Sequence, residues 1–153
     1  QKALDELVKL LNENPNVTIE LSAHCDYRGN AEYNKVLSQR RAETVVDYLT
    51  QHGIARDRLT PVGYGKEKPK KIRKKLTETY KWLKEGDVLT EEFIKKQTKE
   101  HQEVCTQLNR RTEFIVLRTT YGMFDANEKL KQTPQPKKKD SKSNTDDFEI
   151  SFE

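Results

Sequence analysis

Residues 17–23 alternate without a fault: Val17, Ile19 and Leu21 point one way, Thr18, Glu20 and Ser22 the other. Period two over this length is a half-buried strand. The strand runs into a polar turn, His24-Cys25-Asp26-Tyr27-Arg28-Gly29-Asn30, with Gly29 free to take a positive φ. A helical stretch follows over residues 31–52, with Asn30 placed to cap its start and Gly53 to close its end. Val36, Leu37, Val45, Val46 and Leu49 mark its buried side. A second short strand, residues 58–64, lies between turn signals. Strand, helix and strand in this order demand a crossover, so the two strands are expected to lie parallel in one sheet.

The flanks extend the pattern. Leu4, Leu7, Val8, Leu10 and Leu11 give residues 1–12 an amphipathic helix, which Pro15 cannot continue. A chain that opens inside a helix reads as a piece of something longer, so the missing targeting signal carries no information on compartment. Ile72, Leu76, Tyr80 and Leu83 recur at helical intervals over residues 70–84, with Trp82 as a packing anchor. Gly86-Asp87 breaks that run, and Thr90 ahead of Glu91-Glu92 starts another helical piece. A last strand, residues 112–119, carries Phe114, Val116 and Arg118 on one face and Glu113, Ile115 and Leu117 on the other. The expected class is α/β (α+β): a mixed sheet with helices packed on one face, one domain over residues 1–122 and a helical insertion at 66–108. Residues 123–153 are low in complexity and read as a disordered tail.

Composition narrows the function. Only 33% of the chain is hydrophobic and 35% is charged, with a net charge of +4. No stretch approaches the ~20 apolar residues of a membrane span. Lysine runs in the insertion and tail leave open an interaction module for acidic partners, nucleic acid included, although such runs are usually solvated faces. His24-Cys25-Asp26 does not read as a metal site, because consecutive residues at a strand end face opposite ways. Cys25 beside His24 lacks an orienting third group and an oxyanion hole, so no enzyme is read here and no cofactor is expected. The two cysteines, Cys25 and Cys105, permit one disulfide or two buried thiols.

The constellation with chemical content is geometric. Asp26 sits just past the C-terminal end of a strand, where open α/β sheets place their ligands. Asn34, Leu37, Ser38 and Arg41 share one face of the helix that follows. Asp26 could take an ammonium and Arg41 a carboxylate, or the two could simply form a salt bridge that fixes the turn.

Four stretches stand out: Ile19-Glu20-Leu21-Ser22-Ala23-His24-Cys25-Asp26, Tyr33-Asn34-Lys35-Val36-Leu37-Ser38-Gln39-Arg40-Arg41-Ala42, Gly63-Tyr64-Gly65-Lys66-Glu67 and Asn109-Arg110-Arg111-Thr112-Glu113-Phe114. Together they resemble the C-terminal peptidoglycan-binding domain of the OmpA family. The resemblance implies that Asp26 and Arg41 bind the free end of meso-diaminopimelate in uncrosslinked stem peptides. Asn34, Leu37 and Arg111 would order the loop and line the pocket. It also implies a periplasmic, outer-membrane-associated anchor with peptidoglycan, and other envelope proteins, as partners and no nucleic acid. The family's first strand, with a loop that also approaches the ligand, would lie before Gln1. The insertion and the Asn-Arg-Arg-Thr-Glu-Phe run resemble the Bacteroidetes branch, where such domains end larger envelope proteins, one of them in the type IX secretion system. In that branch Cys25 pairs with a cysteine of the insertion, here Cys105.

Overall fold

The computed structural model describes residues 2–123, so the expected tail lies outside the described residues. Helix α1 (Lys2–Glu13) precedes β1 (Thr18–His24), α2 (Ala31–Gln51) and β2 (Leu59–Gly65). Short helices α3 (Lys74–Thr79) and α4 (Glu91–Lys95) lead to α5 (Lys99–Asn109) and β3 (Arg111–Arg118). The sheet order is β2-β1-β3, with β1 parallel to β2 and antiparallel to β3. The crossover through α2 is the one the sequence demanded.

Alternation assigns the faces. Ile19, Leu21 and Ala23 of β1 are fully buried on the helix side, where Leu7, Leu11, Val46, Leu49, Leu59 and Phe114 complete a first core. Helix α2 is capped as expected, Asn30 Oδ1 accepting from the Tyr33 amide at 2.9 Å. Its buried side is Asn34, Ser38, Ala42, Val45, Val46 and Leu49. Val36, expected inside, is 53% exposed. The sheet touches α2 through small and polar positions at this level, because β2 brings its backbone, not side chains, against the helix. A Cβ on Gly63 would stand 2.1 Å from the Gln39 nitrogen. Gln39 Oε1 instead accepts from the Gly63 amide (2.8 Å), and Ser38 Oγ from the Gly65 amide (2.9 Å).

Arg58 joins α1 to the sheet. Its buried guanidinium donates to the carbonyls of Leu11 (2.9 Å), Asn14 (2.8 Å) and Val17 (3.0 Å). These include carbonyls that the end of α1 leaves without helical partners.

The insertion corrects one expectation. No continuous helix spans residues 70–84; only Lys74–Thr79 is helical. The amides of Ile72 and Leu89 bond the carbonyls of Asp87 and Lys70, and Gly86 donates back to Ile72. Backbone pairing between residues 70–72 and 86–89 therefore replaces the helix. Ile72, Leu83, Leu89, Ile94 and Cys105 gather from separate stretches into a second core. Trp82 packs on it, stacked on His101 with ring centroids 3.8 Å apart. Asn109 ties this unit to the sheet, taking the Lys70 amide on Oδ1 (2.8 Å) and giving Nδ2 to the Leu89 carbonyl (3.0 Å).

Candidate functional site

The site forms where β1 ends. Past Ala23 the β1–β2 register slips by one residue, and the Cys25 amide bonds the Gly65 carbonyl at 2.8 Å. The following turn is fixed from three directions. Asn34 Nδ2 donates to the Arg28 carbonyl (2.8 Å), and Lys66 Nζ to the carbonyls of Tyr27 (3.2 Å) and Gly29 (2.9 Å). Tyr27 packs against the second core. Gly29 turns the chain at φ 90°.

Asp26 is thereby buried, yet four donors converge on its carboxylate. Oδ1 accepts from the Arg28 amide (2.9 Å) and Arg28 Nε (3.2 Å); Oδ2 accepts from Arg28 Nη2 (3.0 Å) and Arg110 Nη1 (2.7 Å). Burial pushes the carboxyl pKa up, but the Arg28 and Arg110 bonds outweigh it and hold it below its ordinary value. Asp26 is an ionised, buried carboxylate.

The salt bridge between Asp26 and Arg41 is not formed; Arg28 and Arg110 take that place. Arg41 is exposed and has no hydrogen-bond or ion-pair partner among the described residues. Its charge favours the Cys25 thiolate, although burial dominates and raises that thiol's pKa. Asn34 is buried and orders the turn; Leu37 is half-buried on α2. Arg111 faces elsewhere. Its buried guanidinium donates to the Asn109 (3.1 Å) and Lys68 (3.2 Å) carbonyls and pairs with Glu113 at 3.2 Å. The register His24↔Arg111 sets residue 110 across from the start of the turn, so Arg110, not Arg111, reaches Asp26. Alternation says only that the two arginines face opposite ways; the register decides which one meets Asp26. Cys25 and Cys105 are both free and buried, with Cys25 Sγ donating to the Asn34 carbonyl (3.5 Å) and Cys105 inside the second core.

A cleft of about 410 Å³ lined by Thr18, Asp57, Thr60, Arg118 and Tyr121 lies at the opposite end of the sheet. Nothing there brings a buried charge to a ligand. The buried charge lies at Asp26 instead.

Residues 1–82, more than half of the chain, match the OmpA family. The chain belongs to the OmpA family. It is 42% identical over 69 residues to the peptidoglycan-associated lipoprotein of Rhizobium meliloti, covering 45% of this chain and 39% of that protein. It is 43% identical over 68 residues to outer membrane protein A of Buchnera aphidicola, covering 41% of this chain and 20% of that protein. This OmpA-family chain thus spans well under half the length of the curated relatives it matches. The fold is also that of a MotB-like protein from Desulfovibrio vulgaris, with a TM-score of 0.50, 21% identity, and coverage of 75% of this chain and 57% of that one.

Proposed function

We propose that the chain binds peptidoglycan non-covalently and anchors an outer-membrane or periplasmic protein to the cell wall. The ligand is the free end of meso-diaminopimelate in uncrosslinked stem peptides. Asp26 takes its ammonium and Arg41 its carboxylate.

The observation that carries this reading is an ionised, buried carboxylate at a strand end, with a guanidinium left open nearly three helical turns into α2. Such a pair suits a zwitterion carried on one carbon. The name of the Rhizobium relative, a peptidoglycan-associated lipoprotein, supports peptidoglycan as the partner. Lysine at the diaminopimelate position lacks the carboxylate, so exposed Arg41 would stay hydrated and the charge-assisted pair that favours diaminopimelate would not form. Part of the lysine run serves the fold: Lys68 Nζ lies 4.1 Å from the Tyr64 ring centre and buried Lys70 pairs with Glu113. That weakens the reading as a basic nucleic-acid module. The narrowest form of the proposal, a wall anchor for a type IX secretion assembly, rests on the insertion and the Asn109–Phe114 motif.

The test is co-sedimentation with diaminopimelate-type and lysine-type peptidoglycan. Wild type should pellet with the first in preference to the second, and Asp26→Ala and Arg41→Ala should each abolish the preference. Variants that sediment like wild type would remove these residues from the site.

A further inference from the structure

Asp26 offers its ligand a carboxylate that is already full. A carboxylate accepts about four hydrogen bonds, and Asp26 receives four: the Arg28 amide, the two ends of the Arg28 fork, and Arg110. An arriving ammonium needs at least one of these places.

The four donors are not equally held. The Arg28 amide belongs to a turn pinned through the Asn34 bond to the Arg28 carbonyl and the Lys66 bonds on either side. Arg110 makes the shortest contact, 2.7 Å, from the junction of α5 and β3, and its side chain is 33% exposed. The Arg28 side chain is 52% exposed, and Asp26 is the only carboxylate it pairs with among the described residues. Its fork fills two of the four places and can leave into solvent without moving the backbone.

We propose that Arg28 is an internal stand-in for the ligand's ammonium: it occupies Asp26 in the empty site and is displaced when the ligand binds. The inference rests on the proposed peptidoglycan reading and adds a gate to it. Arg28 keeps a buried carboxylate compensated while the site is empty, which avoids the cost of an unpaired buried charge. It also sets a threshold. A ligand must bring a cation that replaces two hydrogen bonds, so stray monovalent cations and neutral peptides are refused.

The test is calorimetric titration of the L-Ala-D-Glu-meso-diaminopimelate tripeptide into wild type, Arg28→Ala, Arg28→Gln and Asp26→Ala. A labelled sample of wild type is followed in parallel at the Arg28 Nε–H by NMR. Removing the stand-in should tighten binding about three-fold in both Arg28 variants, the order expected when one exposed ion pair no longer has to be broken. The Arg28 Nε–H should lose its carboxylate-bonded shift and exchange freely with water at saturation. Arg28→Gln keeps the turn's backbone amide on Asp26 and carries the comparison if Arg28→Ala does not fold. Equal or weaker binding by the folded Arg28 variants, or an Nε–H unchanged at saturation, overturns the gate and leaves the peptidoglycan reading standing. Wild type that fails to bind the tripeptide overturns that reading, and the gate with it.

Discussion

The approach of β2 to α2 at Gly63 makes a strong demand on a single residue. A Cβ there would meet the Gln39 nitrogen at 2.1 Å, Gln39 Cα at 2.5 Å and the Ser38 carbonyl carbon at 2.7 Å. All three are backbone atoms, so no side chain can swing aside. Helix α2 has to lift from the sheet by more than an ångström at its middle. Overpacking of this kind costs ~1–3 kcal/mol. The lift also stretches the Gln39–Gly63 and Ser38–Gly65 bonds, each worth about 1 kcal/mol. Gly63→Ala should therefore lose about 3–5 kcal/mol, lowering Tm by roughly 12–20 °C for a domain of this size. Arg41, two residues beyond Gln39 on the displaced helix, should lose its aim as well. Urea denaturation followed by circular dichroism gives the first quantity. Gly86→Ala is the matched control: its φ is +94° with nothing within 4 Å of the new Cβ, so only backbone strain of about 1 kcal/mol applies. If Gly63→Ala is no worse than Gly86→Ala, the close approach is not what fixes α2.

Two further outcomes test the framework around the site. Arg58→Met keeps the stem but strips the Leu11, Asn14 and Val17 carbonyls of their donor; a loss of about 2–3 kcal/mol in urea titration is expected, and a loss under 0.5 kcal/mol would show those carbonyls hydrate without cost. His24 is buried, and burial first, with the Arg111 and Lys68 charges, lowers its pKa below 6.5 against the opposing pull of Glu113. Its unfolded form takes a proton that the native form resists, so its contribution is present above pH 6.5 and lost as pH falls toward the lower native value. The urea midpoint should drop between pH 7 and pH 5 in wild type and less in His24→Gln; an identical drop in both would clear His24 of the effect.

Much of the fold was legible because β1 and α2 differ so sharply in period, and because Asn30 and Gly53 bracket the helix. The parallel pairing of β1 with β2 followed from connectivity alone. Where sequence reading went astray, spacing imitated an element that hydrogen bonding did not build. Ile72, Leu76, Tyr80 and Leu83 fit a helix, but the amides at 72, 86 and 89 found partners across a hairpin-like turn. Val36 fits the apolar stripe of α2, yet it lies beyond the reach of the sheet and stands exposed. At the site, Asp26 and Arg41 were evident as residue types at a spacing. Their actual neighbours were not, since the choice of Arg110 over Arg111 depends on the β1–β3 register. Arg28 carries a readable signal, a donor two residues after an Asp in a turn, but in the sequence it competes with Arg41, which the helical spacing favours.

The two cores meet at the turn that carries Asp26 and Tyr27. Asp26 hangs from β1, whose apolar face belongs to the first core, while the adjacent Tyr27 is rooted in the second, and Arg110 arrives through the Asn109 staple that holds the insertion to the sheet. The proposed site is therefore a seam between two hydrophobic cores and not a feature of either. Opening the insertion locally, with the sheet intact, would withdraw Tyr27 packing and the Arg110 bond together. By linkage, a ligand that needs the closed turn adds its binding free energy to the insertion's resistance to opening. Amide exchange slowed along α5 on addition of the ligand would be the imprint of that coupling.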